Sequence, residues 1–313
     1  MTFDQAEPKG FAIQAPSQEI TADAGMNEVV GIGEPNRYIL KSPHTSVFNS
    51  ADELALYEAL ILAHLNDFAP EPPVTIPELL NCNIFSKKPS NLLTFVPGET
   101  LDATAIDGFS RAERQRLGRD LGRFVIWLST AIQPKEQQAI SKETGYTPRT
   151  RKQAATYIFS KLADDIVRDF PSLAEAICET YYEYQALDEM EEKLQIVGHD
   201  DLRPVNLIFA TDTQGQHTLS GVIDFGVTKI TDINHELRHA LQMGEDIFEE
   251  AAMTYEAHAS VTPNLEQVML HCRTQLLVDV FLHVNKKFNG NPPKLLAESK
   301  RFFPKKDWSE LEG

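Results

Sequence analysis

Apolar positions follow two different periods along this chain, and the change of period divides it. Glu28-Val29-Val30-Gly31-Ile32 and Arg37-Tyr38-Ile39-Leu40-Lys41 are short apolar, β-branched runs joined by the turn formers Gly33-Glu34-Pro35-Asn36. Together they predict a β-hairpin. An earlier strand is expected at 11–14 or 18–20. Ser50-Ala51-Asp52-Glu53 has the form of a capping box, and Leu54, Tyr57, Ile61 and Leu65 recur behind it at helical spacing. That helix should stop before the proline-rich stretch 70–77, and another strand is expected at Asn91-Leu92-Leu93-Thr94-Phe95-Val96.

Pro97-Gly98 interrupts that strand and is taken as the boundary between an N-terminal lobe, 1–96, and a C-terminal lobe, 97–313. Beyond it the helical period dominates. Ser110-Arg111-Ala112-Glu113 is a second capping box, followed by Leu117, Leu121, Phe124, Val125 and Leu128 on one face. Helices are expected at 152–168 and 171–194, then a compact β-rich island at 196–224, then helices to the end. No internal repeat is visible. The pattern is that of an α+β protein with a small β-rich N-lobe and a larger, mainly helical C-lobe.

Composition removes several function classes. The 313 residues carry a formal charge of −17, which argues against nucleic-acid binding, since that depends on clustered Lys and Arg. The short basic run Arg149, Arg151, Lys152 reads as a solvated helix start. The acidity fits either attraction of a cationic substrate or a surface kept soluble. Cys82, Cys178 and Cys272 are odd in number and scattered, with neither zinc-site nor disulfide spacing. The N-terminus lacks the regions of a signal peptide, and no apolar run approaches the ~20 residues that span a bilayer. A cytoplasmic protein with no membrane partner is expected; the pattern does not set its oligomeric state.

The chemistry concentrates in the island. It contains Gly198-His199-Asp200-Asp201-Leu202-Arg203-Pro204-Val205-Asn206, and Asp224 follows inside Val222-Ile223-Asp224-Phe225-Gly226. Acids and an amide at that spacing suit phosphoryl transfer, in which catalysis is mostly positioning and charge neutralisation. Magnesium prefers oxygen ligands, and Asn206 and Asp224 supply an amide oxygen and a carboxylate. Asp201 is free to accept a hydroxyl proton. His199 is better suited to holding the loop than to acting as a base.

This segment resembles the catalytic loop and metal motif of the aminoglycoside phosphotransferase and choline kinase-like family, whose usual forms are HGDLHPGN and IDFG. The resemblance implies a two-lobed protein-kinase-like fold using ATP and Mg2+. It casts Asp201 as catalytic base and Asn206 and Asp224 as magnesium ligands. Gly25-Met26-Asn27-Glu28-Val29 is similar to the family's nucleotide loop, and Lys41 to its phosphate-binding lysine. Glu58 is at the place of the helix glutamate that pairs with that lysine. Backbone groups at Thr94, Phe95 and Val96 would meet the adenine. Matches run in the family's order from about residue 25 to about 240.

Taken singly, several of these residues keep ordinary readings. Lys41 fits a solvated strand end, Glu58 an exposed helix position, and Gly25 a plain turn; Glu53 competes with Glu58 but fits its cap better. Departures from the family pattern are Asp200 and Val205 for glycines, Arg203 for histidine, and Glu236-Leu237-Arg238 where Asp-Leu-Ala is usual. The family's helical Leu-His signature is missing too, with Val125 where the histidine would fall. Asp200 would either face solvent or raise the pKa of Asp201 by repulsion. Asp232, Glu236, Glu245, Asp246, Glu249, Glu250 and Glu256, against the single cation Arg238, fit either a pocket for a cationic acceptor or a solvated helix face. A small-molecule kinase is the leading expectation. A kinase of macromolecules, which lacks its Ala-Pro-Glu segment here, and a nucleotide-binding pseudokinase scaffold are the alternatives.

Overall fold

In a computed structural model, residues 22–23, 27–33, 37–43, 50–146, 156, 171–186, 195–284 and 292–303 are described. The expected strand at 11–14 or 18–20, the helix at 152–168 apart from residue 156, and Gly25 and Met26 lie outside them. The hairpin forms where its pattern put it. Strand β2 (Asn27–Ile32) pairs antiparallel with β3 (Tyr38–Pro43), in a register that sets Val29 opposite Lys41. With β1 (Ala22–Asp23), β4 (Leu79–Asn83) and β5 (Ser90–Thr94) they make an antiparallel sheet of order β1-β2-β3-β5-β4. Strand β4 was not foreseen. It is an edge strand with three of its five residues exposed, and its register shifts between Leu79 and Asn81, so its side chains give no clean alternation.

Helix α1 (Ala51–Phe68) packs on this sheet and starts at Ser50 with both halves of the capping box present. The Glu53 carboxylate accepts the Ser50 N–H at 2.9 Å, which commits Glu53 to the cap and leaves Glu58 as the acid available to Lys41. Tyr57, Ile61, Leu62 and Leu65 are buried on the core face, and Glu58 is buried among them.

Past β5 the chain turns at Gly98, whose φ of +136° belongs to glycine. A Cβ there would also lie 2.5 Å from the Phe209 carbonyl oxygen. The chain then runs through β6 (Glu99–Thr100), α2 (Ala103–Asp107), α3 (Arg111–Ala131), α4 (Pro134–Thr144) and α5 (Pro171–Ala186). The part of the expected 171–194 helix past Ala186 falls among residues not described. The island expected at 196–224 holds β7 (Gln195–Gly198), β8 (Leu207–Thr211) and β9 (His217–Val222), and β10 (Lys229–Asp232) follows beyond it, where only helices were expected. Strands β6, β8 and β9 form one small sheet, and β7 and β10 another. Helices α6 (Ile233–Glu236), α7 (Arg238–Met243), α8 (Glu245–Ala259), α9 (Leu265–Val284) and α10 (Pro292–Phe302) complete the described chain. None of the described helices is long and apolar enough to cross a membrane.

Helix α3 crosses α8 at unusually short range through two glycines. A Cβ on Gly118 would sit 2.4 Å from the Ile247 carbonyl oxygen, and one on Gly122 2.8 Å from that of Ala251. Alanine is worth ~1 kcal/mol more than glycine in a helix interior. Here overpacking outweighs that gain, because the obstacles are backbone atoms. Gly118→Ala is therefore expected to lower the melting temperature by several degrees; an unchanged or higher value would contradict the close-packed interface.

Candidate functional site

Strand β3 and helix α1 bring Lys41 and Glu58 together beneath the sheet, and the turn after β9 brings Asp224 to meet them. Lys41 Nζ lies 2.6 Å from Glu58 Oε1 and 2.6 Å from Asp224 Oδ1. Lys41 is 7 % and Glu58 3 % exposed, so neither is the solvated residue that its type alone would suggest. Burial alone would lower the ammonium's pKa, but the two carboxylates outweigh it and raise Lys41 above its ordinary value. Burial raises Glu58, whereas for Asp224 the Lys41 charge overcomes burial and lowers it. Asn91 on β5, which sequence reasoning missed, secures the glutamate: its Nδ2 donates to the Ala55 carbonyl at 2.9 Å and to Glu58 Oε2 at 3.4 Å.

Asp201 and Asn206 face this trio from the loop between β7 and β8. His199 is wholly buried against Phe225, with ring centroids 4.9 Å apart. Its Nε2 donates to the Ile223 carbonyl at 2.9 Å, and its Nδ1 accepts the Asp201 N–H at 3.3 Å. Both ring nitrogens are thus used to join the loop to the segment carrying Asp224, and burial lowers the imidazole's pKa. These two bonds suit His199 to holding the loop rather than to acting as a base. Asn206 Nδ2 donates to the Asp201 carbonyl at 2.8 Å and to Asp201 Oδ2 at 2.9 Å. That orientation turns the Asn206 amide oxygen away from Asp201.

Arg203 makes a two-pronged contact with Asp201, Nε to Oδ1 at 2.5 Å and Nη2 to Oδ2 at 2.8 Å. Burial would raise the Asp201 pKa, but Arg203 overcomes it and the group is lowered. The expected upward push from Asp200 is therefore overturned, and Asp200 does not face solvent either. At φ +67° it takes a left-handed conformation that glycine would occupy without strain. Its carboxylate points beneath the loop, with Lys229 Nζ 2.7 Å from Oδ2, His235 Nε2 2.7 Å from Oδ1 and Arg238 Nη1 3.7 Å from Oδ1. Burial opposes ionisation, but these neighbours hold it well below the usual carboxylate range.

Glu236, at the place of the family's helix aspartate, anchors the loop from below. It accepts the His199 N–H at 2.8 Å and the Asp200 N–H at 3.0 Å. Burial, and then the Asp200 charge, push it up to about 7. Since this lies above its ordinary 4.5, the folded protein holds the proton to higher pH than the unfolded chain. The contribution of Glu236 to stability should therefore fall as pH rises from about 4.5 to about 7, with the whole loss in place above that. Urea midpoints at several pH values should show Glu236→Gln without this component; an identical pH slope in both proteins would contradict the assignment.

The remaining acidic residues serve the fold. Asp232 caps α6 through the His235 N–H at 2.9 Å, Asp246 accepts Arg114 Nε at 2.9 Å, and Glu250 pairs with Arg119 at 3.0 Å. Glu245, Glu249 and Glu256 lie on the exposed side of α8. A solvated, ion-paired face accounts for this stretch better than a cationic pocket does. The backbone expected to meet the adenine is also partly committed. The Thr94 N–H donates to the Glu78 carbonyl at 3.0 Å and the Phe95 N–H to that of Arg37 at 2.9 Å, so these bonds leave the Val96 N–H untaken. Asn27 opens β2 and is half-buried. Among the described residues no three His, Cys, Asp or Glu side chains gather as a metal site. One carboxylate and one amide oxygen fit a magnesium ion that takes its other ligands from phosphates and water.

Residues 23–271 match the model of a family described as the phosphotransferase enzyme family, APH. No curated protein matches the chain in sequence. Among solved structures, it is similar to the GDP and kanamycin complex of APH(2")-IIia, at TM-score 0.69 and 16% identity over 91% of each chain. The streptomycin–ATP complex of APH(2")-IIa aligns at TM-score 0.59 and 14% identity, over 94% of this chain and 92% of that one. The macrolide 2'-phosphotransferase MphH from Brachybacterium faecium aligns at TM-score 0.58 and 16% identity, over 93% and 92%. These likenesses establish the two-lobed kinase-like fold, with a small antiparallel sheet in one lobe and helices dominating the other. With the family model spanning most of its length, the chain belongs to the APH phosphotransferase enzyme family.

Proposed function

We propose that this protein transfers the γ-phosphoryl group of magnesium-bound ATP to a hydroxyl of a small molecule. The observation that carries the reading is the meeting of Lys41, Glu58 and Asp224 from three distant parts of the chain, beside a loop that holds Asp201 and Asn206. Lys41, now held between two carboxylates, would bind phosphate oxygens, with Glu58 and Asn91 fixing its position. Asn206 and Asp224 would hold magnesium, which supplies neutralisation of the phosphate charge. Asp201 would take the acceptor's proton as its oxygen attacks phosphorus. The adenine would lie along Thr94, Phe95 and Val96, and Gly25, Met26 and Asn27 would cover the phosphates. The lobe boundary is placed at Pro97, and the free state of Cys82, Cys178 and Cys272 suits a cytoplasmic enzyme.

Arg203 covers both oxygens of Asp201, so it must withdraw before the base can act. The same contact favours a second reading, a nucleotide-binding scaffold whose base stays covered. Solved structures similar to this chain include complexes with kanamycin, streptomycin and gentamicin and a macrolide 2'-phosphotransferase, which makes amino sugars and macrolides the first acceptors to try. Because Asp246 and Glu250 on α8 pair with Arg114 and Arg119, neutral and anionic alcohols belong beside those acceptors. The test is ADP release from ATP, and separately from GTP, over that panel with and without magnesium. Acceptor-stimulated, magnesium-dependent release supports the enzyme; nucleotide binding without release under any acceptor supports the scaffold.

A further inference from the structure

A second histidine lies behind the base, and the resemblance to the family gives it no role. His239, on α7, is 2 % exposed. Its Nδ1 lies 2.7 Å from Gln242 Oε1, while its Nε2 is buried with no hydrogen-bond partner among the described residues. That nitrogen is 3.8 Å from Asp201 Oδ1. Leaving a buried polar atom unsatisfied is costly, and a leucine would avoid the penalty at this position. The Gln242 carbonyl fixes the tautomer, since Oε1 can only accept: the proton sits on Nδ1, and Nε2 presents a lone pair toward the base.

A lone pair facing a carboxylate has nothing to bind while that carboxylate is ionised and held by Arg203. The situation changes at phosphoryl transfer. The acceptor's oxygen forms its bond to the γ-phosphorus, the bond to the bridging oxygen breaks with its electrons passing to ADP, and the acceptor's proton moves to Asp201. The buried carboxyl then carries an O–H that needs an acceptor. Asn206 Nδ2 can only donate, and it already occupies Oδ2. His239 Nε2 is the acceptor beside Oδ1 and needs to close by only about 1 Å to reach hydrogen-bond distance.

We propose that His239 is a positioning residue for the reaction: its Nε2 accepts a hydrogen bond from Asp201 once Asp201 has taken the acceptor's proton. It acts through the base, stays neutral throughout, and touches neither nucleotide nor acceptor. The inference rests on Asp201 being the base of the proposed phosphotransfer.

The test is a double-mutant cycle read as ADP release from Mg-ATP, with water as the phosphate acceptor and again with any compound that stimulates release. His239→Leu should lower kcat about 10–100-fold, the size expected for losing one hydrogen bond to a reacting group, with the affinity for Mg-ATP unchanged. His239→Gln, whose amide reaches the place of Nε2, should retain most of the activity, whereas the shorter His239→Asn should not. In an Asp201→Asn background, His239→Leu should cause no further loss. Equal losses in both backgrounds, or Gln falling as far as Leu, would make His239 a packing residue and overturn the proposal. Should the leucine variant fail to fold, the Gln and Asn pair separates positioning from packing in its place. If Asp201→Asn alone leaves turnover intact, the phosphotransfer reading fails, which separates that failure from a failure of His239.

Discussion

Asp201→Asn is expected to leave a folded protein that binds Mg-ATP with unchanged affinity and turns over about 10²–10⁴-fold more slowly. The substitution keeps the side chain's shape and an oxygen for the Asn206 amide while removing the group that takes a proton. It also dissolves the ion pair with Arg203. That loss should weigh little on stability, because the Arg203 side chain is 42% exposed and water replaces the partner. Turnover, nucleotide affinity and melting temperature measured on one preparation separate the two effects. Undiminished turnover would remove Asp201 from the mechanism, and a large fall in melting temperature would make it structural.

The second large effect is expected at Asp224. Asp224→Ala removes the carboxylate offered to magnesium, so the magnesium-dependent part of ATP affinity should disappear in calorimetry. The fold should survive, because Lys41 keeps Glu58 at 2.6 Å and the buried pair stays neutral overall. Wild-type affinity in the variant would overturn the ligand assignment. A protein that no longer folds would instead assign Asp224 to balancing the Lys41 charge.

Much of this site was legible because its parts carry local signals. The capping boxes at Ser50 and Ser110 fixed two helix starts, and the hairpin composition fixed β2 and β3. Those elements place Lys41 and Glu58. The loop from His199 to Asn206 is contiguous, so its spacing was readable directly. What was not legible depends on residues that meet only in three dimensions. Nothing in the sequence near Asn91 indicates that it would secure Glu58, because the two meet across the boundary between sheet and helix. Asp200 looked like a second charge beside the base, and only a left-handed backbone turns it toward Lys229, His235 and Arg238. Glu236 looked like a poor substitute for aspartate, yet it reaches two loop N–H groups. The acidic run over α8 left a cationic pocket and a solvated face both open, because charge counted along a sequence omits Arg114 and Arg119, which approach from α3.

Central to this account is that the assembled residues move a phosphoryl group and do not merely hold a nucleotide. Phosphorus NMR tests that most directly, following Mg-ATP incubated with the protein and the panel of amino sugars, macrolides and simple alcohols, beside Asp201→Asn. The account predicts a phosphomonoester resonance growing with ADP for at least one acceptor, absent without magnesium and suppressed in the variant. ATP that binds and stays intact across the panel, or a product that forms as fast with Asp201→Asn, would contradict it.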